Sequence, residues 1–216
     1  MTKYEKILTD LTDKLQHKSR AVMVTGSVAR GDSTKNSDLD ILVITKKGHS
    51  FKEKIIDGIT VEIKCNSLIG FKNKMKKDPM NIYQWMDAKA IYDPDDLLIE
   101  LKVLAQEIFD NYTPLTFPTK WLSSAKTKIR SAHESQNHAF LSFHVSSNLW
   151  KVVEGFYLLN GVPTPPSSTA FKNITSLKKL PENFSTLWEK SLKGELEERA
   201  HIMIVFIEFL QSSHLS

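Results

Sequence analysis

The stretch VMVTGSVARGDSTKNSDLDILVI, residues 22–44, decides how this chain is read. An apolar run ends at Thr25, Gly26 and Ser27 follow at once, and a polar loop, Asp32 to Ser37, leads to Asp38 and Asp40 at the head of a second apolar run. Side chains two apart on a strand share a face, so Asp38 and Asp40 are expected side by side. Two carboxylates so placed repel each other and lose hydration unless a cation sits between them. An all-oxygen ligand set favours a hard divalent ion such as Mg2+. The Gly-Ser turn lies where a strand is expected to give way to a helix, and backbone N–H groups there suit a phosphate. A cation site and a phosphate site within one short segment are the equipment of phosphoryl-type chemistry.

Working outward, Ala21 to Thr25 and Leu39 to Thr45 read as strands that are apolar on both faces, so both faces of their sheet are expected to be covered. Upstream, Tyr4, Ile7, Leu8, Leu11 and Leu15 recur at helical spacing, and Thr2 with Glu5 has the spacing of a capping box. That helix should end near Lys18. Downstream, Phe51 to Cys65 reads as a hairpin about Asp57-Gly58, a pair that accepts the positive φ of a tight turn. After the turn Ile59, Val61 and Ile63 alternate with Thr60, Glu62 and Lys64, the pattern of a half-buried strand. Glu62 joins the two aspartates if this strand pairs beside Leu39–Thr45 and faces solvent if it does not, and register is not fixed by sequence. A lysine-dense helix follows over Ser67 to Lys77. Asp78-Pro79 and Asp93-Pro94 each read as a helix cap with proline at the first position, flanking a short strand, Lys89 to Tyr92.

Gly26, Ser27, Arg30, Gly31, Ser37, Asp38 and Asp40, in this order and spacing, resemble the signature of nucleotidyltransferases of the DNA polymerase β superfamily, nearest to the minimal and antibiotic-modifying branches. The likeness is specific over about Val22 to Val43, looser to Asp93 and only architectural beyond. It implies two Mg2+ ions on Asp38, Asp40 and a third acid on a following strand, for which Glu62 is the candidate. It implies ATP or another nucleoside triphosphate as substrate, with Gly26 and Ser27 at the phosphates. Arg30 either pairs with a phosphate or braces the loop, and Ser37 either serves the nucleotide or orients the Asp38 turn.

The 216 residues allow one large or two small domains with real cores. With 41% hydrophobic and 25% charged residues the composition is that of a globular protein. No apolar run reaches membrane-spanning length, and the first residues lack the apolar core of an export signal. Cys65 is the single cysteine, so no internal disulfide forms and a cytoplasmic location is expected. A net charge of +4 suits an anionic nucleotide but is too weak to argue for a long nucleic-acid partner. There is no Walker sequence and no zinc spacing among the seven histidines.

Asn111 to Pro118, with its two prolines, marks a domain boundary. The expected fold class is α+β: a mixed sheet flanked by helices over residues 1–112, and an all-α helical bundle over 119–216 that binds the acceptor. Helices are expected over Thr119 to about Ser135, His138 to Leu159, Leu187 to about Leu192 and Glu195 to Gln211, with T-P-P-S-S-T, 164–169, as a loop. His144, Asn148, Lys151 and Glu154 share a helix face by spacing. The family likeness makes Glu154 a candidate base, with Glu134 behind it and Lys151 a candidate phosphate or substrate contact. The same charges at this spacing also read as an ordinary exposed pair. The leading functional expectation is transfer of AMP from ATP to a hydroxyl of a small molecule such as an antibiotic. Modification of a protein side chain in the manner of an antitoxin, and a catalytically silent nucleotide-binding module, are the alternatives. A homodimer is compatible with the sequence.

Overall fold

The computed structural model describes residues 2–114 and 117–214. Contacts divide the chain into two units, Met1–Asn111 and Tyr112–Ser216. Of the expected boundary stretch Asn111–Pro118, residues 115 and 116 lie outside the described part.

The first unit opens with α1, Lys3–Leu15, whose capping box is formed on both sides by Thr2 and Glu5. A single 3-10 turn leads to β1, Ala21–Thr25, then α2, Gly26–Arg30, and β2, Leu39–Thr45. The hairpin is made of β3, Ser50–Ile56, and β4, Ile59–Ser67. Its turn residues Asp57 and Gly58 have φ of 51° and 76°, as a tight primed turn demands. α3, Leu68–Lys77, α4, Ile82–Asp87, β5, Lys89–Tyr92, and α5, Leu97–Asp110, complete the unit.

The five strands form one mixed sheet in the order β3-β4-β2-β1-β5, and only β2 and β4 run parallel. Both faces of its central strands β1 and β2 are covered, as doubly apolar strands require, while the outer strands β3 and β5 are exposed. On one face Val22, Val24, Leu39, Ile41 and Val43 pack with Ile7 and Leu11 of α1. On the other, Met23, Leu42 and Ile44 pack with Phe71 and Met75 of α3, Trp85 of α4 and Leu101 of α5. The start of α5 differs from expectation. Proline does not open this helix. It begins at Leu97, and the Asp93 carboxylate reaches forward to accept from the N–H groups of Leu97 and Leu98 at 3.0 and 2.8 Å.

The second unit is helical: α6, Thr119–Glu134, α7, His138–Leu159, α8, Ser167–Asn173, α9, Phe184–Lys193, and α10, Leu196–His214. Its core gathers Leu122, Ile129, Val145, Phe156, Met203 and Phe206. Two expectations are corrected here. The stretch expected as a loop from 164 to 169 contains the start of α8, since Pro166 immediately precedes its first residue, Ser167, and Ala170 buries completely. The penultimate helix starts at Phe184 rather than Leu187, because Phe184 and Trp188 stack into the core as one turn. Among the described residues no helix is long and apolar enough to cross a membrane.

Candidate active site

Strand register builds the site. In β2, Asp40 has Thr25 of β1 opposite it on one side and Glu62 of β4 on the other, and Glu62 in turn faces Glu53 of β3. Directly opposed residues share a face, so one row crosses four strands as Thr25, Asp40, Glu62 and Glu53. The next row on that face is Met23, Leu42, Lys64 and Phe51. The parallel β2–β4 pairing is what the sequence left open for Glu62, and it sets this carboxylate beside Asp40. Asp38 lies exposed just ahead of β2, near enough for its charge to act on Asp40.

Three acids so close need a positive neighbour. Lys64 provides it: its ammonium donates to Asp40 Oδ1 at 2.9 Å and lies 2.8 Å from Glu62 Oε2. Burial pushes the Asp40 carboxyl above its ordinary value, and Asp38 and Glu62 push the same way, while Lys64 pulls it back only in part. For Lys64 burial works against the charge, but the hydrogen bonds to Glu62 and Asp40 prevail and raise its pKa. Sequence reasoning passed over this lysine. The signal was present in the alternation Thr60, Glu62, Lys64, which fixes Lys64 on the acidic face two residues beyond Glu62.

The turn after β1 closes on the same carboxylate. Gly26 has φ +70°, and a Cβ placed on it would lie 2.8 Å from Asp40 Oδ2. Only glycine meets both conditions, a left-handed backbone and contact with a carboxylate oxygen. Ser27 follows in the first turn of α2, half-buried, its carbonyl accepting from the N–H groups of Gly31 and Asp32 at 2.9 and 3.1 Å. The Thr25 hydroxyl donates to the Gln84 carbonyl at 2.6 Å, which ties the end of β1 to α4.

Arg30 is engaged by protein acids. Its guanidinium lies 2.7 Å from Asp87 and 3.3 Å from Asp32. Burial opposes its charge, but both aspartates outweigh that and raise the pKa. Of the two roles left open for it, this geometry is that of a brace between α2, its loop and α4. Ser37 is likewise occupied in the loop: its Oγ accepts from the Thr34 N–H at 2.8 Å and its carbonyl accepts from the Tyr4 hydroxyl at 2.9 Å.

Among the described residues no three His, Cys, Asp or Glu side chains stand as a ready metal-ligand set. The donors are carboxylate oxygens, the type that suits a hard cation. Two carboxylates from neighbouring strands already converge on one positive centre, the Lys64 ammonium.

In the helical unit Lys151 and Glu154 of α7 pair with each other at 2.6 Å. Asn148 does not lie on an open polar strip with them. It is buried, and its amide donates back to the His144 carbonyl at 2.6 Å. Glu134 is exposed at the end of α6. Trp150 and Trp188 pack around Phe171, as core residues do.

Residues 4–92 match the family model of the nucleotidyltransferase domain. No curated protein matches the chain. A solved nucleotidyltransferase-like protein from Exiguobacterium sibiricum 255-15 is similar over 99% of this chain and 76% of its own, at 17% identity and a TM-score of 0.46. The family match, which spans the sheet, the Gly-Ser turn and all three acids, carries the assignment. Over residues 4–92 the chain therefore matches the nucleotidyltransferase domain, a match that supports nucleotidyl transfer as its general chemistry.

Proposed function

We propose that this domain transfers a nucleoside monophosphate, AMP from ATP as the default, to a hydroxyl of a small-molecule acceptor such as an antibiotic, with release of pyrophosphate. The observation that carries the reading is the in-register pair Asp40 and Glu62 beside the Gly26 approach. Asp38, Asp40 and Glu62 would hold divalent ions, Mg2+ by donor type, which neutralise the triphosphate and acidify the acceptor hydroxyl. The remaining work falls to the chain. Gly26 admits phosphate oxygens close to the backbone, and Ser27 offers a hydroxyl and an N–H to them. Arg30, held by Asp32 and Asp87, keeps the turn and its loop in place, and Ser37 stiffens the approach to Asp38. Nucleotidyl transfer asks chiefly for positioning and charge neutralisation, which is what rigid strand ends supply.

In this proposal acceptor recognition falls to the helical unit, where Lys151 and Glu154 of α7 are the candidate contacts. With ATP, Mg2+ and an aminoglycoside and lincosamide panel, mass spectrometry should reveal an adenylylated product and pyrophosphate should appear. Asp38→Asn and Asp40→Asn should stop the release while the circular dichroism spectrum stays unchanged. Release that survives both changes would overturn the role given to the acids. Adenylylation of a protein in place of any small molecule would move the acceptor to a side chain.

A further inference from the structure

Lys64 belongs to no motif and no role in the reaction assigned above, yet it makes ion pairs with two of the three acids. Its ammonium lies between Asp40 and Glu62, and all three side chains are only partly exposed, at 36%, 21% and 25%. It comes from the same strand as Glu62, two residues on, so it cannot drift away from the pair by backbone motion of a loop. A divalent ion bound to these carboxylates would occupy the space and the charge position that the ammonium now fills. The two cations exclude each other. A lysine side chain is long and flexible, and once displaced its charge needs a new anion. A triphosphate delivered to the same row supplies one.

We propose that Lys64 is an internal competitor for the metal, which holds Asp40 and Glu62 in the metal-free protein and yields to a divalent ion only when nucleotide phosphates arrive to receive its ammonium. This rests on the metal reading of Asp40 and Glu62 given above. Metal and nucleotide are then coupled reciprocally: each binds weakly alone and each strengthens the other.

Mn2+ binding, followed by the loss of the free-ion electron paramagnetic resonance signal, tests this without turnover. Lys64→Met should bind Mn2+ about tenfold more tightly than the wild type when no nucleotide is present, the equivalent of about 1.4 kcal/mol. A non-hydrolysable ATP analogue should tighten Mn2+ binding in the wild type by a larger factor than in Lys64→Met. Lys64→Arg retains the charge and should stay near wild-type affinity, which guards against a fold defect in the methionine variant. Equal Mn2+ affinity in wild type and Lys64→Met, with binding lost in Asp40→Asn, would overturn the role of Lys64 and leave the metal reading standing. Mn2+ binding that is indifferent to Asp40→Asn and Glu62→Gln would overturn both.

Discussion

Gly26→Ala is the substitution that tests the site geometry most directly. Two costs are legible. Alanine at φ +70° enters the left-handed region, a penalty of about 1–2 kcal/mol. The new methyl also lies 2.8 Å from Asp40 Oδ2, so the carboxylate must turn away. Turning it loosens the Lys64 contact at 2.9 Å, worth about 0.2–1 kcal/mol for a pair as exposed as this. Gly31→Ala supplies the control: its φ is +85°, but nothing lies within 4 Å of the added carbon, so it pays the backbone penalty alone. In urea unfolding both variants should lose about 1–2 kcal/mol, with Gly26→Ala lower by a further fraction of a kcal/mol. Pyrophosphate release separates them sharply. A displacement of about 1 Å at a reacting group costs on the order of a hundredfold in rate, so Gly26→Ala should fall by that much while Gly31→Ala stays within a few-fold. Equal rates in the two variants at equal folded fraction would refute the idea that the glycine exists to admit the Asp40 carboxylate.

Three further outcomes are expected. Burial pushes the Tyr157 phenol from 10.0 up to about 12, and its hydroxyl donates to the Ala170 carbonyl at 3.0 Å. The unfolded chain therefore gives up this proton first, and stability is full below pH 10 and falls by about 2 kcal/mol as pH rises toward 12. Tyr157→Phe should flatten that slope in alkaline thermal melts. Asp93→Ala removes the acceptor for two N–H groups at the start of α5 and should cost about 1–2 kcal/mol in chemical denaturation. Trp85 is wholly buried and, among the described residues, its indole N–H has no hydrogen-bond partner. Trp85→Ala should cost about 3–5 kcal/mol, whereas Trp85→Phe, which removes the unsatisfied donor, should cost far less by the same assay.

The parts of the fold that sequence reasoning recovered are those set by local patterns. β1 and β2 fall where the apolar runs lie, because strands covered on both faces need no alternation to be seen. The Asp57-Gly58 turn and the Thr2–Glu5 cap were equally plain, since each depends on residues a few positions apart. What failed was governed by tertiary contacts. The composition of the stretch 164–169 favours a turn, yet burial of Ala170 draws its end into α8. Asn148 matched a polar helix face by spacing but lies against the bundle interior. Lys64 was visible on its strand, but its bond to Asp40 depends on the parallel register of β2 with β4, which no local signal encodes.

That same register has a bearing on how the domain reaches its native state. Glu62 and Glu53 meet within the local β3–β4 hairpin, whereas Asp40 meets Glu62 only when that hairpin docks through β4 in parallel onto β2, and such non-local pairing is slower to form than a hairpin. Lys64 travels into the sheet on the strand that carries Glu62, so neutralising charge arrives together with the acid that docks beside Asp40.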